Sequence, residues 1–215
     1  MDESCRASTA GERRRPHMRY ESSGWFETIH TWGTTCDERT LAFPCDRVLP
    51  EHNAAYFRGV TVNASPAIVF CWLCQLRVAA YSYDWIDQWG RRSPRVLDPA
   101  LQNLAVGQPV MDIFDLVAYE RDRHLTLRLR QPGVFPPLAV SYFIVPLAAD
   151  RCRLLVKLVL RYRPTVLDRL SCWLTPWLDW IMMRRQLLNL KALAESVPRA
   201  TRAGSLHAYE RRRAR

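Results

Sequence analysis

The residues best suited to chemistry are concentrated in one short segment, Tyr81-Ser82-Tyr83-Asp84-Trp85. Three aromatic rings, a hydroxyl and a carboxylate follow an apolar stretch there, and such a mixture lines pockets for mostly apolar ligands. In an apolar cavity the pKa of Asp84 would rise, and with Tyr81 or Tyr83 as hydrogen-bond donor its carboxyl group could act as acid or base. Asp84 is also well placed to cap the free amides of a short helix over residues 84–89. The position of Asp84 favours the capping role, and a catalytic role is the alternative.

No other spacing identifies a reaction centre. Cys71 and Cys74 have the C-x-x-C spacing, but they fall inside an apolar run and lack the second ligand pair of a zinc site. No Ser-His-Asp arrangement and no glycine-rich phosphate loop can be assembled from the remaining residues. We therefore expect no metal site and no cofactor.

Cysteine usage and hydropathy indicate the compartment. The seven cysteines are an odd number at irregular spacing, and the first residues lack the pattern of a secretory signal. The apolar run over residues 67–74 is far shorter than the roughly 20 residues needed to span a bilayer. These patterns predict a soluble cytoplasmic protein.

The formal net charge of +10 raises the question of a nucleic-acid partner, because basic surfaces attract polyanions. Residues 199–215 hold six of the arginines beside a single glutamate, so much of the excess charge lies in one terminal segment. Only Lys157 and Lys191 are lysine, which suggests a coding bias toward arginine rather than selection for phosphate contacts. We expect no specific nucleic-acid partner.

Composition divides the chain into three parts. Residues 1–30 are polar, lack an apolar period and are predicted to form a flexible leader. Residues 31–198 are long enough for a sizeable core and are predicted to form a single domain. Residues 199–215 are predicted to be a flexible basic tail.

The first regular elements predicted in the domain are a strand over residues 56–62 and a helix over residues 66–76. Ser65 and Pro66 mark the start of the helix as N-cap and first helical residue. Apolar residues recur in the helix at spacings of three and four, which indicates a buried stripe.

Five further strands are predicted over residues 108–113, 116–119, 124–130, 138–147 and 152–163. Leu125, Leu127 and Leu129 alternate with polar residues, and Cys152 begins a second alternating series. Such alternation is typical of antiparallel strands with one face on a core and one face in water. The break between the last two strands is short enough for a hairpin.

The last predicted element is a helix over residues 166–196, broken or kinked at Thr175-Pro176. Trp173, Trp177 and Trp180 follow one another in it at spacings of four and three. With Arg184 and Arg185 they suit a helix lying on a membrane surface. The same spacing describes a stripe packed on the sheet, so both interpretations stay open.

The order of these elements is that of the helix-grip arrangement, in which a curved sheet wraps the last helix. The chain resembles the START-like SRPBCC superfamily of polyketide cyclase/dehydrase and lipid-transport proteins, and within it small actinobacterial members, over about residues 32–195. Five phrases carry the resemblance: Val60-Thr61-Val62-Asn63-Ala64-Ser65-Pro66, Trp72-Leu73 with Gln75-Leu76, Tyr81-Ser82-Tyr83-Asp84-Trp85, Val106-Gly107, and Met183-Arg184-Arg185-Gln186-Leu187. The chain departs from the superfamily before the third phrase, where members often have a glycine-rich turn.

The resemblance implies an α+β helix-grip fold with a cavity between the sheet and the C-terminal helix. It also implies a binding protein for an apolar ligand, lipid-like or aromatic. The side chains expected to line the cavity are Tyr81, Tyr83, Trp85, Leu129, Tyr142, Phe143 and Ile181. The alternatives are an enzyme of the cyclase or dehydratase kind that uses Asp84, and a protein associated with membrane surfaces.

Overall fold

The computed structural model describes residues 24–82, 93–131 and 135–197. The predicted helix over residues 84–89, the basic tail and most of the predicted leader lie outside these ranges. Tyr83, Asp84 and Trp85 lie outside them as well.

The described elements follow the predicted order. Helices α1 to α5 span Gly24–Thr31, Cys36–Arg39, Cys45–Val48, Pro66–Cys74 and Val166–Ser196. Strands β1 to β6 span Ala54–Val62, Pro109–Val110, Phe114–Glu120, His124–Leu129, Leu138–Ala148 and Arg151–Leu160. Two 3₁₀ helices, Gln75–Arg77 and Pro99–Gln102, complete the set.

The six strands form one antiparallel sheet in the order β1-β6-β5-β4-β3-β2. The predicted hairpin joins β5 to β6, and β1 pairs with β6 along its whole length. β1 and β2 therefore lie at opposite edges, and α4, which follows β1 in the chain, packs on the inner face of the sheet. The strand predicted over residues 108–113 is shorter than expected, because Met111 and Asp112 adopt left-handed φ angles of 49° and 59°.

The inner face of the sheet carries the main core. Alternate side chains of β1, β4, β5 and β6 are buried there together with α4 and the second half of α5. Leu125 and Leu127 lie on this face, and so does the series that begins with Cys152 and Leu154, which confirms the predicted alternation. The helix α5 packs against β1 and α4, so it closes the sheet from the inside.

The outer face does not lie in water, as the sequence predicts, but is covered by the segment around α3. Phe43 and Cys45 pack there on Phe143, with ring centroids of Phe43 and Phe143 5.6 Å apart. Lys157 also faces this side, and its ammonium group pairs with Asp46 at 2.7 Å. A short apolar segment far away in sequence thus shields a face whose alternating polar residues predicted exposure.

Pro176 does not break the last helix. A single helix runs from Val166 to Ser196, with Thr165 as N-cap accepting from the amide of Asp168. Proline inside a helix costs about 3 kcal/mol because it removes one backbone hydrogen bond and crowds the preceding turn. Pro176 is itself buried, and packing of the helix on β1 and α4 offsets this cost.

The predicted leader is wrong at its C-terminal end. Residues 24–31 form α1, which packs on β1 and α5, and Ile29 is buried. The ring of His30 lies 5.2 Å from the ring of Tyr56, centroid to centroid. A helix this short contains too few apolar positions for a periodic pattern, so contact with the sheet decides its formation.

Both cysteines of the C-x-x-C pair lie in or at the end of α4 as free thiols. Burial raises the pKa of Cys71 to about 11 and that of Cys74 to about 12, so both stay protonated at neutral pH. Among the described helices, none is long and apolar enough to cross a bilayer.

Candidate ligand-binding site

The strand β1 brings an arginine to the inner face of the sheet. Tyr56, Arg58, Val60 and Val62 alternate along β1 and are all buried. The guanidinium Nη2 of Arg58 donates to the carboxylate Oδ2 of Asp179 on α5 at 2.6 Å, and only 1% and 8% of the two side chains are exposed. Among the described residues no other ion pair is as deeply buried.

Burial affects both charges of the pair. Loss of water raises the pKa of Asp179 to about 6, against the attraction of Arg58, which lowers it. Burial also lowers the pKa of Arg58, and the carboxylate of Asp179 opposes that change. Each group is therefore held charged mainly by the other, and anything that separates them favours the neutral carboxylic acid.

Two buried N–H donors, one in the pair and one on the residue after Asp179, have no acceptor among the described residues. Arg58 uses Nη1 on the carbonyl of Phe57 and Nη2 on Asp179, while its Nε is buried without a hydrogen-bond partner. Trp180 follows Asp179 on α5, and its indole Nε1 is likewise buried and unpartnered. A buried donor without an acceptor costs about 1–3 kcal/mol, so this place favours a molecule that brings oxygen acceptors.

Tyrosine hydroxyls surround the ion pair. The hydroxyls of Tyr56 and Tyr162 lie 3.0 Å apart, and the guanidinium of Arg58 lies 5.9 Å from the ring centroid of Tyr56. Burial, with a smaller contribution from the charge of Asp179, raises the pKa values of Tyr56, Tyr142 and Tyr162. All three are therefore neutral phenols, suited to hydrogen bonding and not to nucleophilic attack.

About two turns further along α5, Gln186 connects three elements. Its Oε1 accepts from the hydroxyl of Tyr142 at 2.7 Å, and its Nε2 donates to the carbonyl of Ala80 at 2.5 Å. Asn189 donates to the carbonyl of Tyr81 at 2.8 Å. These bonds fix the helix, β5 and the segment after α4 relative to one another.

The structure brings together some of the residues predicted to line a cavity. Tyr81 and Tyr142 are both buried in the inner core and are linked to α5 through Asn189 and Gln186. The ring of Tyr81 lies edge-on to Trp72 with centroids 6.0 Å apart, and its backbone has a left-handed φ of 54°. Leu129 is buried at the end of β4 on the same face of the sheet.

Two predicted lining residues lie elsewhere. Phe143 follows Tyr142 directly in β5, so its side chain points to the outer face, where it packs on Phe43 and stacks on His124. Ile181 is 43% exposed, because it lies on the side of α5 turned away from the sheet. Neither side chain lines the space between sheet and helix.

Sequence reasoning missed Arg58 and Asp179, the two residues that give this space its polarity. Arg58 stands in register with Tyr56, Val60 and Val62, and a charge on the buried face of a strand requires a partner. That signal was present in the alternation of the strand. Asp179 could not be singled out, because the helical period alone does not fix which stripe of α5 turns inward.

Comparisons with known proteins give remote structural likenesses. No protein-family model matches the chain, and no curated protein matches it. Solved structures similar to it include protein MLL2253 from Mesorhizobium loti, with 14% identity, TM-score 0.42, and coverage of 67% of this chain and 98% of that one. The di-domain ARO/CYC StfQ from the steffimycin biosynthetic pathway has 15% identity, TM-score 0.43, and coverage of 74% and 54%. A START superfamily protein from Mycobacterium smegmatis has 17% identity, TM-score 0.36, and coverage of 62% and 98%.

Because these TM-scores are below 0.5, the fold assignment rests on the molecule itself. The strands pair antiparallel in one sheet with the first strand beside the last, and a helix of 31 residues closes the inner face. Bulges in β3 and β5 shift the register and bend the sheet. This chain has an α+β helix-grip fold.

Proposed function

We propose that this chain is a small-molecule binding protein that holds an apolar ligand between the inner face of the sheet and α5. Its ligand carries an oxygen acceptor for Arg58 Nε and Trp180 Nε1. The observation that carries the proposal is the presence of two buried donors without an acceptor, Nε of Arg58 in the ion pair and Nε1 of Trp180 next to Asp179 in sequence. Ligand sites are mostly apolar with a few placed polar groups, and the inner face has that composition.

The ion pair suits a positioning role better than a structural one. Replacing a buried pair by apolar residues of similar volume is often neutral or stabilising, so a buried pair is weak evidence of a contribution to stability. Here the two Nη atoms of Arg58 donate to one Asp179 oxygen and one backbone carbonyl. These bonds fix the guanidinium group, and its Nε makes no hydrogen bond. A carbonyl or hydroxyl oxygen of a ligand would complete its hydrogen bonds.

The enzyme hypothesis is not adopted. It rests on Asp84 with Tyr81 or Tyr83, and two of these three residues lie outside the described ranges. The third, Tyr81, is buried in the core beside Trp72. A cyclase- or dehydratase-type reaction at Asp84 stays a prediction from the sequence.

The test uses Prodan, a naphthalene fluorophore with one ketone oxygen whose emission moves to shorter wavelength in apolar surroundings. We expect saturable binding with a blue shift to the wild-type chain. Arg58→Lys keeps the charge beside Asp179 but removes Nε, and it should weaken Prodan binding about tenfold, the value of one hydrogen bond to a charged group.

The matched control is Arg153→Lys. Arg153 pairs with Glu38 at the same 2.6 Å but on the outer face of the sheet, so this change should leave Prodan affinity unaltered. The analogue 2-dimethylaminonaphthalene lacks the ketone and should not distinguish wild type from Arg58→Lys. Equal Prodan affinity of wild type and Arg58→Lys would overturn the proposed anchor, and absence of saturable binding would count against the proposed function.

A further inference from the structure

The outer face of α5 is apolar along its first half. This outer face is formed by seven side chains that are all exposed: Val166, Leu167, Leu170, Trp173, Leu174, Leu178 and Ile181. They recur at spacings of three and four, so they form one stripe about 22 Å long at 1.5 Å per residue. The large side chain of Trp173 is 64% exposed.

Such a stripe needs an explanation, because contiguous exposed apolar surface marks an interaction site. The sequence left two interpretations of Trp173, Trp177 and Trp180 open, a stripe packed on the sheet or a membrane-facing helix. The structure separates them: Trp180 has its indole nitrogen buried, whereas Trp173 stands in solvent. The helix therefore has an inner polar and aromatic side and a separate outer apolar side.

The charges beside the outer face are of one sign. Arg169, Arg184 and Arg185 are exposed on the same part of α5. The two acids in this part of the helix, Asp168 and Asp179, are buried and engaged with Arg163 and Arg58. The surface offered by residues 166–188 of α5 is thus apolar with arginine as its exposed charge.

We propose that this face lies on the surface of an anionic lipid bilayer. An amphipathic helix with Trp and Leu on one side and arginines beside them binds at the interface of headgroups and acyl chains, and anionic lipids attract the arginines. A second copy of the chain fits less well, because a symmetric contact sets the same arginines against one another with no exposed acid on this stretch to pair with them. The inner side of the same stretch carries Asp179, so docking would bring the proposed ligand site next to the lipid phase.

Vesicle flotation with the full chain tests this proposal. We expect the wild type to float with vesicles of phosphatidylcholine containing 30% phosphatidylglycerol, and at least tenfold less with phosphatidylcholine alone. Leu170→Gln with Trp173→Gln should reduce flotation with anionic vesicles at least tenfold. Arg169→Gln with Arg185→Gln should reduce it severalfold and abolish the preference for phosphatidylglycerol.

The matched control is Val106→Gln with Phe135→Gln, two apolar side chains that are 66% and 64% exposed in the segments before β2 and β5. This control should float like the wild type, and so should Arg211→Gln with Arg212→Gln and Arg213→Gln in the basic tail. No flotation with anionic vesicles would overturn the proposal. Loss of flotation caused by the tail substitutions alone would overturn it as well. So would a protein that does not bind vesicles but forms a dimer in sedimentation velocity, if Leu170→Gln with Trp173→Gln dissociates that dimer.

Discussion

The two halves of α5 differ in how they meet the rest of the molecule. The second half is anchored by buried Leu187, Leu190 and Ala194 and by side-chain hydrogen bonds from Gln186 and Asn189 to the segment after α4. The first half meets the sheet through the ion pair of Asp179 with Arg58 and through the buried Pro176, and it turns its apolar side chains outward. One continuous helix thus joins an anchored segment to a segment that covers a polar site.

The difference separates stability from function within one element. Apolar burial at many points holds the second half in place, so substitutions there should affect folding. The first half carries an inner polar group and an outer apolar stripe that folding alone does not require. We therefore expect substitutions in the first half to affect ligand and membrane binding more than the free energy of unfolding. Asp179 is the exception, because its removal leaves the charge of Arg58 buried and unpaired.

The largest expected effect on stability is that of Asp179→Ala. It leaves the guanidinium of Arg58 buried and unpaired, which costs about 3–5 kcal/mol of the free energy of unfolding. Arg58→Met with Asp179→Leu removes both charges and should regain most of that loss. Urea denaturation followed by circular dichroism measures both. Glu120→Ala, which breaks the exposed Arg123–Glu120 pair, serves as control and should cost less than about 1 kcal/mol. An Asp179→Ala loss as small as that of the control would remove the ion pair from this account.

The second effect contrasts the two halves directly. Leu187→Ala opens a cavity in the core and should cost about 2–5 kcal/mol. Leu178→Ala, nine residues earlier on the outer face of α5, should change the free energy of unfolding by no more than about 0.5 kcal/mol. Urea denaturation of both variants measures the two costs. Equal costs would mean that the first half is packed as tightly as the second.

The pH dependence of stability should report on Asp179. Its pKa is raised from 3.8 to about 6 in the folded chain, so between about pH 4 and pH 6 the folded state binds a proton that the unfolded state has lost. As the pH rises through this window, the free energy of unfolding of the wild type, taken relative to Asp179→Asn, should therefore fall by about 1.4 kcal/mol per pH unit. Above the window it should be constant. Denaturation of both proteins from pH 4 to pH 8 gives the difference. A difference that rises with pH would show instead that the pair lowers the pKa of Asp179.

The smallest effect concerns the bridge at the border of the two halves. Tyr142→Phe removes the hydroxyl that donates to Gln186 and should cost about 1 kcal/mol, since the amide oxygen stays buried. Tyr119→Phe removes an exposed bond to the carbonyl of Leu104 and should cost less than half as much. Thermal unfolding at constant pH resolves the two. A larger loss from Tyr119→Phe would contradict the assignment of Gln186 as an anchor.

Local patterns predict most of the fold. The alternation in β4 and β6, the proline-marked start of α4 and the short connection between β5 and β6 are all signals within a few residues, and all four are confirmed. The errors depend on contacts between distant residues. The coverage of the outer face by Phe43 and Cys45 and the burial of α1 through Ile29 leave no periodic trace in sequence.

The candidate site was predictable only in part. Tyr142 and Phe143 are neighbours in a strand and cannot share a face, so alternation excludes one of them but does not say which. For Ile181 and Asp179, a period of 3.6 defines two stripes of α5, and the contact with Arg58 decides which one turns inward. Tyr83, Asp84 and Trp85 stay predictions, because they lie outside the described residues.

Hydrogen exchange along α5, read by mass spectrometry with and without saturating Prodan, tests the central claim that the first half of this helix covers a ligand site. Without the probe, amides of residues 166–181 should exchange faster than those of residues 183–194, because they have fewer buried anchors. With Prodan bound, exchange in residues 166–181 should slow at least fivefold while residues 183–194 stay unchanged. Uniform exchange along the helix that Prodan leaves unaltered, despite saturable binding, would contradict the account.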